Sequence, residues 1–150
     1  MKKHLALAFA IISILAIIVQ AKHAPAPDDL FAIKDVGDAR LSPDGATIVY
    51  IMSSTNREKN SSTSNLWLVP TNGGQPAQLT TGEANDSTPR WSPDGKKIAF
   101  ASNRDGKSAI WIVDVASRET RMITLWERSN FFLSKAGEMF CWSPDSKQIA

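Results

Sequence analysis

The 150-residue chain is 43% hydrophobic and 21% charged, the composition of an ordinary globular sequence of about one domain. Its formal charge of +2 falls to about zero once Lys2 and Lys3 are set aside with the leader described next. A near-neutral chain gives no electrostatic reason to expect a nucleic acid or an anionic membrane as a partner.

Residues 1–21 read as a secretory signal peptide. Lys2 and Lys3 form a basic start, Leu5 to Val19 is an apolar run interrupted only by Ser13, and Val19-Gln20-Ala21 places small residues where a signal peptidase inspects them. Cleavage is expected after Ala21. The alternative is an uncleaved anchor, although the apolar run is shorter than the roughly 20 residues that span a bilayer comfortably. In the cleaved reading, membrane contact is transient.

Residues 22–40 form a lead-in, with a short acidic and apolar helical turn expected over Pro27 to Ile33. From Leu41 onward the chain repeats. "LSPDGATIVY" from Leu41, "WSPDGKKIAF" from Trp91 and "WSPDSKQIA" from Trp142 align without gaps, and their Ser-Pro-Asp cores at Ser42, Ser92 and Ser143 set periods of 50 and 51 residues. A period that long, filled with short strand patterns, predicts a β-propeller with one blade per repeat.

Within the second repeat, Pro93 presets its own φ, Asp94 can bond local backbone and Gly95 accepts a positive φ, so the chain reverses there. Ile98, Phe100 and Ser102 then fall on one strand face, and Lys97, Ala99 and Ala101 on the other. A second reversal around Asp105-Gly106 leads into "AIWIVDV", and "TRMIT" closes the blade. The first repeat keeps this order with "ATIVYIMSS", "NLWLVP" and "PAQLT". Trp67 aligns with Trp111, and Thr80 with Thr124. Between Ser53 and Asn65 it carries a longer polar hairpin with no apolar residue to bury, expected to be an exposed, mobile tip. The second repeat instead has a long exit, "WERSNFFLSKAGEMF", whose Phe131, Phe132 and Leu133 are expected to pack on the blade rather than face a partner.

The expected fold is therefore all-β: an incomplete β-propeller over residues 41–150, with about two four-stranded blades and the start of a third. Ala150 aligns with Ala99 inside a strand, and a propeller needs about 4 to 8 blades to close. The sequence thus reads as the amino-terminal part of a longer protein, and alone it is expected to be marginally folded or to aggregate.

Candidate site residues are few. Asp44, Asp94, Asp105 and Asp145 offer loop oxygens of the kind calcium takes, but each sits in a hairpin before Gly or Ser, where a reverse turn needs it without metal. Trp67, Trp91, Trp111 and Trp142 could stack on sugars; at equivalent repeat positions they read as filler between blades, and Trp126 has no repeat partner. Glu127, beside Arg128, and Glu138 read as solvated loop charges. Asn60-Ser61-Ser62 and Asn85-Asp86-Ser87 match a glycosylation acceptor pattern that arises often by chance. The single cysteine, Cys141, excludes an internal disulfide and reads as a small core residue between Phe140 and Trp142. No metal, cofactor or phosphate motif is found, so no catalytic, cofactor-binding or metal residue is assigned.

The stretch "NLWLVPTNGGQPAQLTTGEANDSTPRWSPDGKKIAFASNRDG" resembles the propeller repeats of the prolyl oligopeptidase family of serine peptidases, including its dipeptidyl and acylaminoacyl peptidase branches, and those of TolB-like periplasmic proteins. The lead-in favours the peptidases: Val36, Asp38 and Leu41 to Gly45 match their first strand, and TolB-like proteins usually place a separate small α/β domain before the propeller. That resemblance covers roughly residues 27–150. It implies an exported serine peptidase, periplasmic or extracellular, whose propeller admits short peptides to a downstream α/β-hydrolase domain carrying Ser, Asp and His. None of those positions lies in this sequence: a Gly-x-Ser-x-Gly elbow is absent, and His23 sits in a Pro/Ala-rich start. The rival implication is a non-catalytic TolB-like propeller that binds protein partners.

Overall fold

A computed structural model describes residue 26, residues 28–125 and residues 139–150. The described residues fall into two units, one ending at Leu30 and one beginning at Phe31. In the first, the Asp29 carboxylate accepts the Ala26 amide at 2.7 Å, an acid in the first turn of helix α1 (Asp29–Ala32). This is the helical turn expected within Pro27 to Ile33.

The second unit is two four-stranded antiparallel sheets, each a meander. The first contains β1 (Asp35–Leu41), β2 (Thr47–Asn56), β3 (Ser61–Pro70) and β4 (Ala77–Gln78). The second contains β5 (Asp86–Trp91), β6 (Lys97–Ser102), β7 (Ala109–Asp114) and β8 (Thr120–Leu125). The first sheet thus begins at Asp35, inside the stretch read as lead-in, because Asp35 to Gly37 already pair with Ser53 to Ile51. The Ser-Pro-Asp repeat marks the turn between the first and second strands of a blade.

That turn is built the same way three times. Ser42 Oγ donates to Asp44 at 2.5 Å and accepts the Thr47 amide at 2.9 Å. Ser92 serves Asp94 and Lys97, and Ser143 serves Asp145 and Gln148, at nearly the same distances. Gly45 and Gly95 take φ of 73° and 71°, and Ser146 takes 59° in the place of glycine. A left-handed φ suits glycine because a Cβ crowds the backbone there.

Alternation along the strands divides each sheet into two faces. Val49 and Leu66 of the first sheet are fully buried against Ile98, Phe100, Trp111 and Val113 of the second, with Leu79 and Trp91 completing the cluster. Each such buried aliphatic or aromatic side chain contributes about 1.5–3 kcal/mol by leaving water. The opposite face of the second sheet carries Ala99 and Ile112, and the third repeat packs Phe140, Trp142 and Ile149 onto it.

One expectation is met and one changes. The stretch from Ser53 to Asn65 is the exposed polar hairpin expected: β2 and β3 run paired to Asn56 and Ser61, so the loop proper is only residues 57–60. Exposed Thr and Ser side chains pair across these strands, Ser54 with Thr63 and Thr55 with Ser62, each at 3.3 Å. Cys141 is exposed rather than a core residue. Phe140 takes the inward position at 4% exposure, and the next residue of an extended chain points the other way. The signal segment, His23, Trp126, Glu127, Arg128, Phe131, Phe132, Leu133 and Glu138 lie outside the described residues.

Candidate functional site at the joint between blades

The most ordered polar chemistry lies where the two sheets meet. Asp86 opens β5 with its side chain fully buried. A buried carboxylate is costly unless it is paired and hydrogen-bonded, and Asp86 is both. Arg104 donates from one guanidinium nitrogen to both carboxylate oxygens at 2.8 Å. Thr80 Oγ1 donates to one oxygen at 2.5 Å and Ser102 Oγ to the other at 2.6 Å. Thr80 in turn accepts the Leu66 amide at 2.9 Å, and Ser64 donates to the Asp86 carbonyl at 2.9 Å. One carboxylate therefore ties β3 and its exit to β5 and β6.

The tight turn after β6 sets the arginine's position. Asp105 and Gly106 both have positive φ, 59° and 74°, which brings Arg104 back over the sheet. Its guanidinium lies 5.1 Å from the ring centroids of both Phe100 and Trp111, within cation–π range. Beside it, Thr81, Glu83, Asn103 and Trp111 help line an open cleft of about 570 Å³. Glu83 is paired with Lys59 of the β2–β3 loop, which holds its carboxyl below the usual range.

A second cluster lies on the first strands of the two sheets. Each carries a bulge, with Asp38 at φ 40° and Thr88 at φ 53°. Asp38 accepts from its neighbour Arg40 at 2.7 Å and from Arg90 of the next repeat at 3.3 Å. Trp91 Nε1 donates to the Arg40 carbonyl at 3.1 Å. Trp142 Nε1 does the same to the Arg90 carbonyl at 2.9 Å.

The residues singled out from sequence thus take three fates. Asp44, Asp94 and Asp145 are turn residues, and their serine hydroxyls hold all three carboxyls below the ordinary value. Among the described residues no three His, Cys, Asp or Glu gather to hold a metal. Trp91, Trp111 and Trp142 pack between sheets or against the next repeat, as filler does. Asn60 is exposed at the tip of the β2–β3 hairpin, whereas Asn85 precedes the buried Asp86.

Sequence reasoning passed over Asp86, Arg104, Thr80 and Ser102. The signal available was that Asp86 lies five residues before Trp91 while the first repeat has Val36 at the equivalent place. Chemically, this arrangement positions and binds. Its acid and base groups neutralise each other, and the chain's two histidines, His4 and His23, lie outside the described residues.

Comparison with known proteins agrees with the fold. Residues 34–150 match the TolB beta propeller domain, PD40. An uncharacterised peptidase of Bacillus subtilis (strain 168), YuxL, is 39% identical over 123 residues, covering 81% of this chain and 18% of that protein. Dipeptidyl-peptidase 5 of Porphyromonas gingivalis is 39% identical over 80 residues, covering 53% of this chain and 12% of that one. The solved acylaminoacyl peptidase of Pyrococcus horikoshii superposes with a TM-score of 0.61 at 24% identity, over 81% of this chain and 17% of its own. The chain spans less than a fifth of the length of each of these proteins. Four-stranded antiparallel sheets stacked through a repeated tryptophan tie, together with the match over residues 34–150, place the chain in the TolB β-propeller domain family.

Proposed function

We propose that this chain is the leading part of the propeller of an exported serine peptidase of the prolyl oligopeptidase kind. The observation that carries this reading is the 39% identity to the peptidase YuxL over 123 residues. In this reading the propeller restricts access, admitting short peptides to a hydrolase domain elsewhere in the same protein. The chemistry would be acyl transfer to a serine of that domain, with backbone amides stabilising the tetrahedral intermediate. The residues described here contribute rigidity and shape.

The stacking pattern supports a longer propeller. Ile98, Phe100, Trp111 and Val113 bury on the first blade. Their equivalents on the first blade, by repeat and by pairing, are Ile48, Tyr50, Trp67 and Val69. That face is flanked by Val36 and Leu41, 57% and 58% exposed. It is suited to pack on another blade, as the same face of the second blade packs on the first.

A binding propeller without chemistry is the second reading, favoured by the family match itself, whose description is that of TolB. An active-site-directed fluorophosphonate separates the two. The peptidase reading expects the whole protein purified from its source to take up one equivalent and to lose hydrolysis of short peptides in parallel. An unlabelled protein that turns over no peptide sinks this reading and leaves the binding propeller.

A further inference from the structure

We propose that Asn72 is a site of spontaneous covalent modification, deamidating through a cyclic imide to a mixture of isoaspartate and aspartate. The chain has seven asparagines, and only Asn72 is followed by glycine. The imide forms when the following backbone nitrogen attacks the asparagine side chain, so three local features govern it: exposure, freedom of the side-chain amide, and access to that nitrogen.

All three are met in the connection between β3 and β4. Residues 71–77 are exposed. Among the described residues no hydrogen bond engages the Asn72 side chain. Gly73 has φ +93°, with nothing within 4 Å of where a Cβ would stand. Its amide donates only to the Pro70 carbonyl at 3.4 Å, longer than the 2.7–3.2 Å of a firm bond.

The other described asparagines are held or hindered. Asn56 accepts from the Lys59 amide at 3.0 Å and Asn103 from the Asn85 amide at 2.7 Å. Asn65 is 9% exposed. Asn60 and Asn85 precede Ser61 and Asp86, whose side chains obstruct the nitrogen. Asp44 and Asp94, which also precede glycine, have their carboxylates engaged by Ser42 and Ser92 and cannot swing toward it.

The step balances with water as the only co-reactant. The Gly73 nitrogen bonds to Asn72 Cγ as its proton passes to solvent base, the Cγ–Nδ2 bond breaks, and ammonia leaves. Water then opens the ring. Cleavage at the main-chain carbonyl gives isoaspartate, and cleavage at Cγ gives aspartate. Isoaspartate adds a methylene to the backbone next to Thr71, whose hydroxyl donates to the Gly45 carbonyl at 2.9 Å and whose amide donates to the Ala46 carbonyl at 3.0 Å. Modification would therefore slacken the tie between this connection and the first Ser-Pro-Asp-Gly turn.

The test is to age the whole protein in mildly alkaline buffer enriched in heavy-oxygen water and locate the label by tandem mass spectrometry. Within residues 1–150 the label is expected first at residue 72, in both isoaspartyl and aspartyl forms. Asn72→Gln should bring the isoaspartyl signal of the proteolytic peptide that contains residue 72, read by methyltransferase assay, down to background. An Asn72 that stays unlabelled, whether or not another asparagine converts, overturns the proposal. So does a methyltransferase signal from that peptide that Asn72→Gln leaves unchanged.

Discussion

The Trp91 indole reaches from one blade to the backbone carbonyl of Arg40 on the blade before it, 3.1 Å away. Trp142 repeats the bond to Arg90 at 2.9 Å. The joint is thus keyed by a side chain on a main chain, which keeps the geometry independent of what side chain residue 40 or 90 carries. The first repeat has Leu41 at this place and no indole to offer. Trp91→Phe keeps an aromatic ring in the joint but strands the Arg40 carbonyl. A loss of about 1–3 kcal/mol is expected. Hydrogen exchange should show it as weaker protection at the facing amides of both sheets, and unchanged protection would mean that the ring alone makes the joint.

A larger loss is expected at Asp86. Removing its carboxylate leaves Arg104, whose side chain is only 16% exposed, without its partner. It also strands the hydroxyls of Thr80 and Ser102. Breaking one half of a buried pair costs about 3–5 kcal/mol. Asp86→Ala should therefore lower the denaturation midpoint far more than Ser54→Ala, a change on the exposed hairpin. Double substitution with Arg104→Met should recover part of the loss, and the absence of any recovery would show that the carboxylate acts independently of the arginine.

How much of this was legible beforehand follows from range along the chain. The three turns are local, and Ser-Pro-Asp-Gly states each of them in four residues. The strand faces follow from alternation, which is why Ile98 and Phe100 were placed together correctly. Asp86 was hidden because its partners Thr80, Ser102 and Arg104 come from separate elements, while its own neighbourhood imitates a glycosylation motif. Cys141 escapes the sequence because apolar neighbours along the chain do not report what surrounds a side chain. In an extended chain, neighbours point away from each other.

The turns should also report on pH. The Ser92 hydroxyl, then the Lys96 amide, hold the Asp94 carboxyl below its ordinary value of 3.8. A carboxyl lowered in the folded state stabilises above its unfolded value, and that contribution is lost as pH falls below about 3.8 through the folded value. Ser92→Ala removes the larger cause. The Asp94 carboxyl should then titrate closer to 3.8 in an NMR titration, and the turn should weaken at a higher pH than in the parent. An unmoved titration would assign the lowering to the backbone.

The third turn carries its own strain. Ser146 sits at φ 59° where the two earlier turns have glycine. A non-glycine residue held there costs on the order of 1 kcal/mol. Ser146→Gly relieves it but gives up the bond that Ser146 Oγ accepts from the Asp94 amide at 3.1 Å. A net gain below about 1 kcal/mol is expected, seen as slower exchange of the Ser146 amide. A clear loss of protection would show that the contact between turns outweighs the strain.

The central claim is that these blades belong to the propeller of a serine peptidase. The most direct measurement is to read the source DNA past the codon for Ala150. The account predicts a frame that continues through further Ser-Pro-Asp-Gly repeats into a Gly-x-Ser-x-Gly segment, with Asp and His later. A frame that completes the blades and closes without such a segment would contradict it and make the protein a binding propeller.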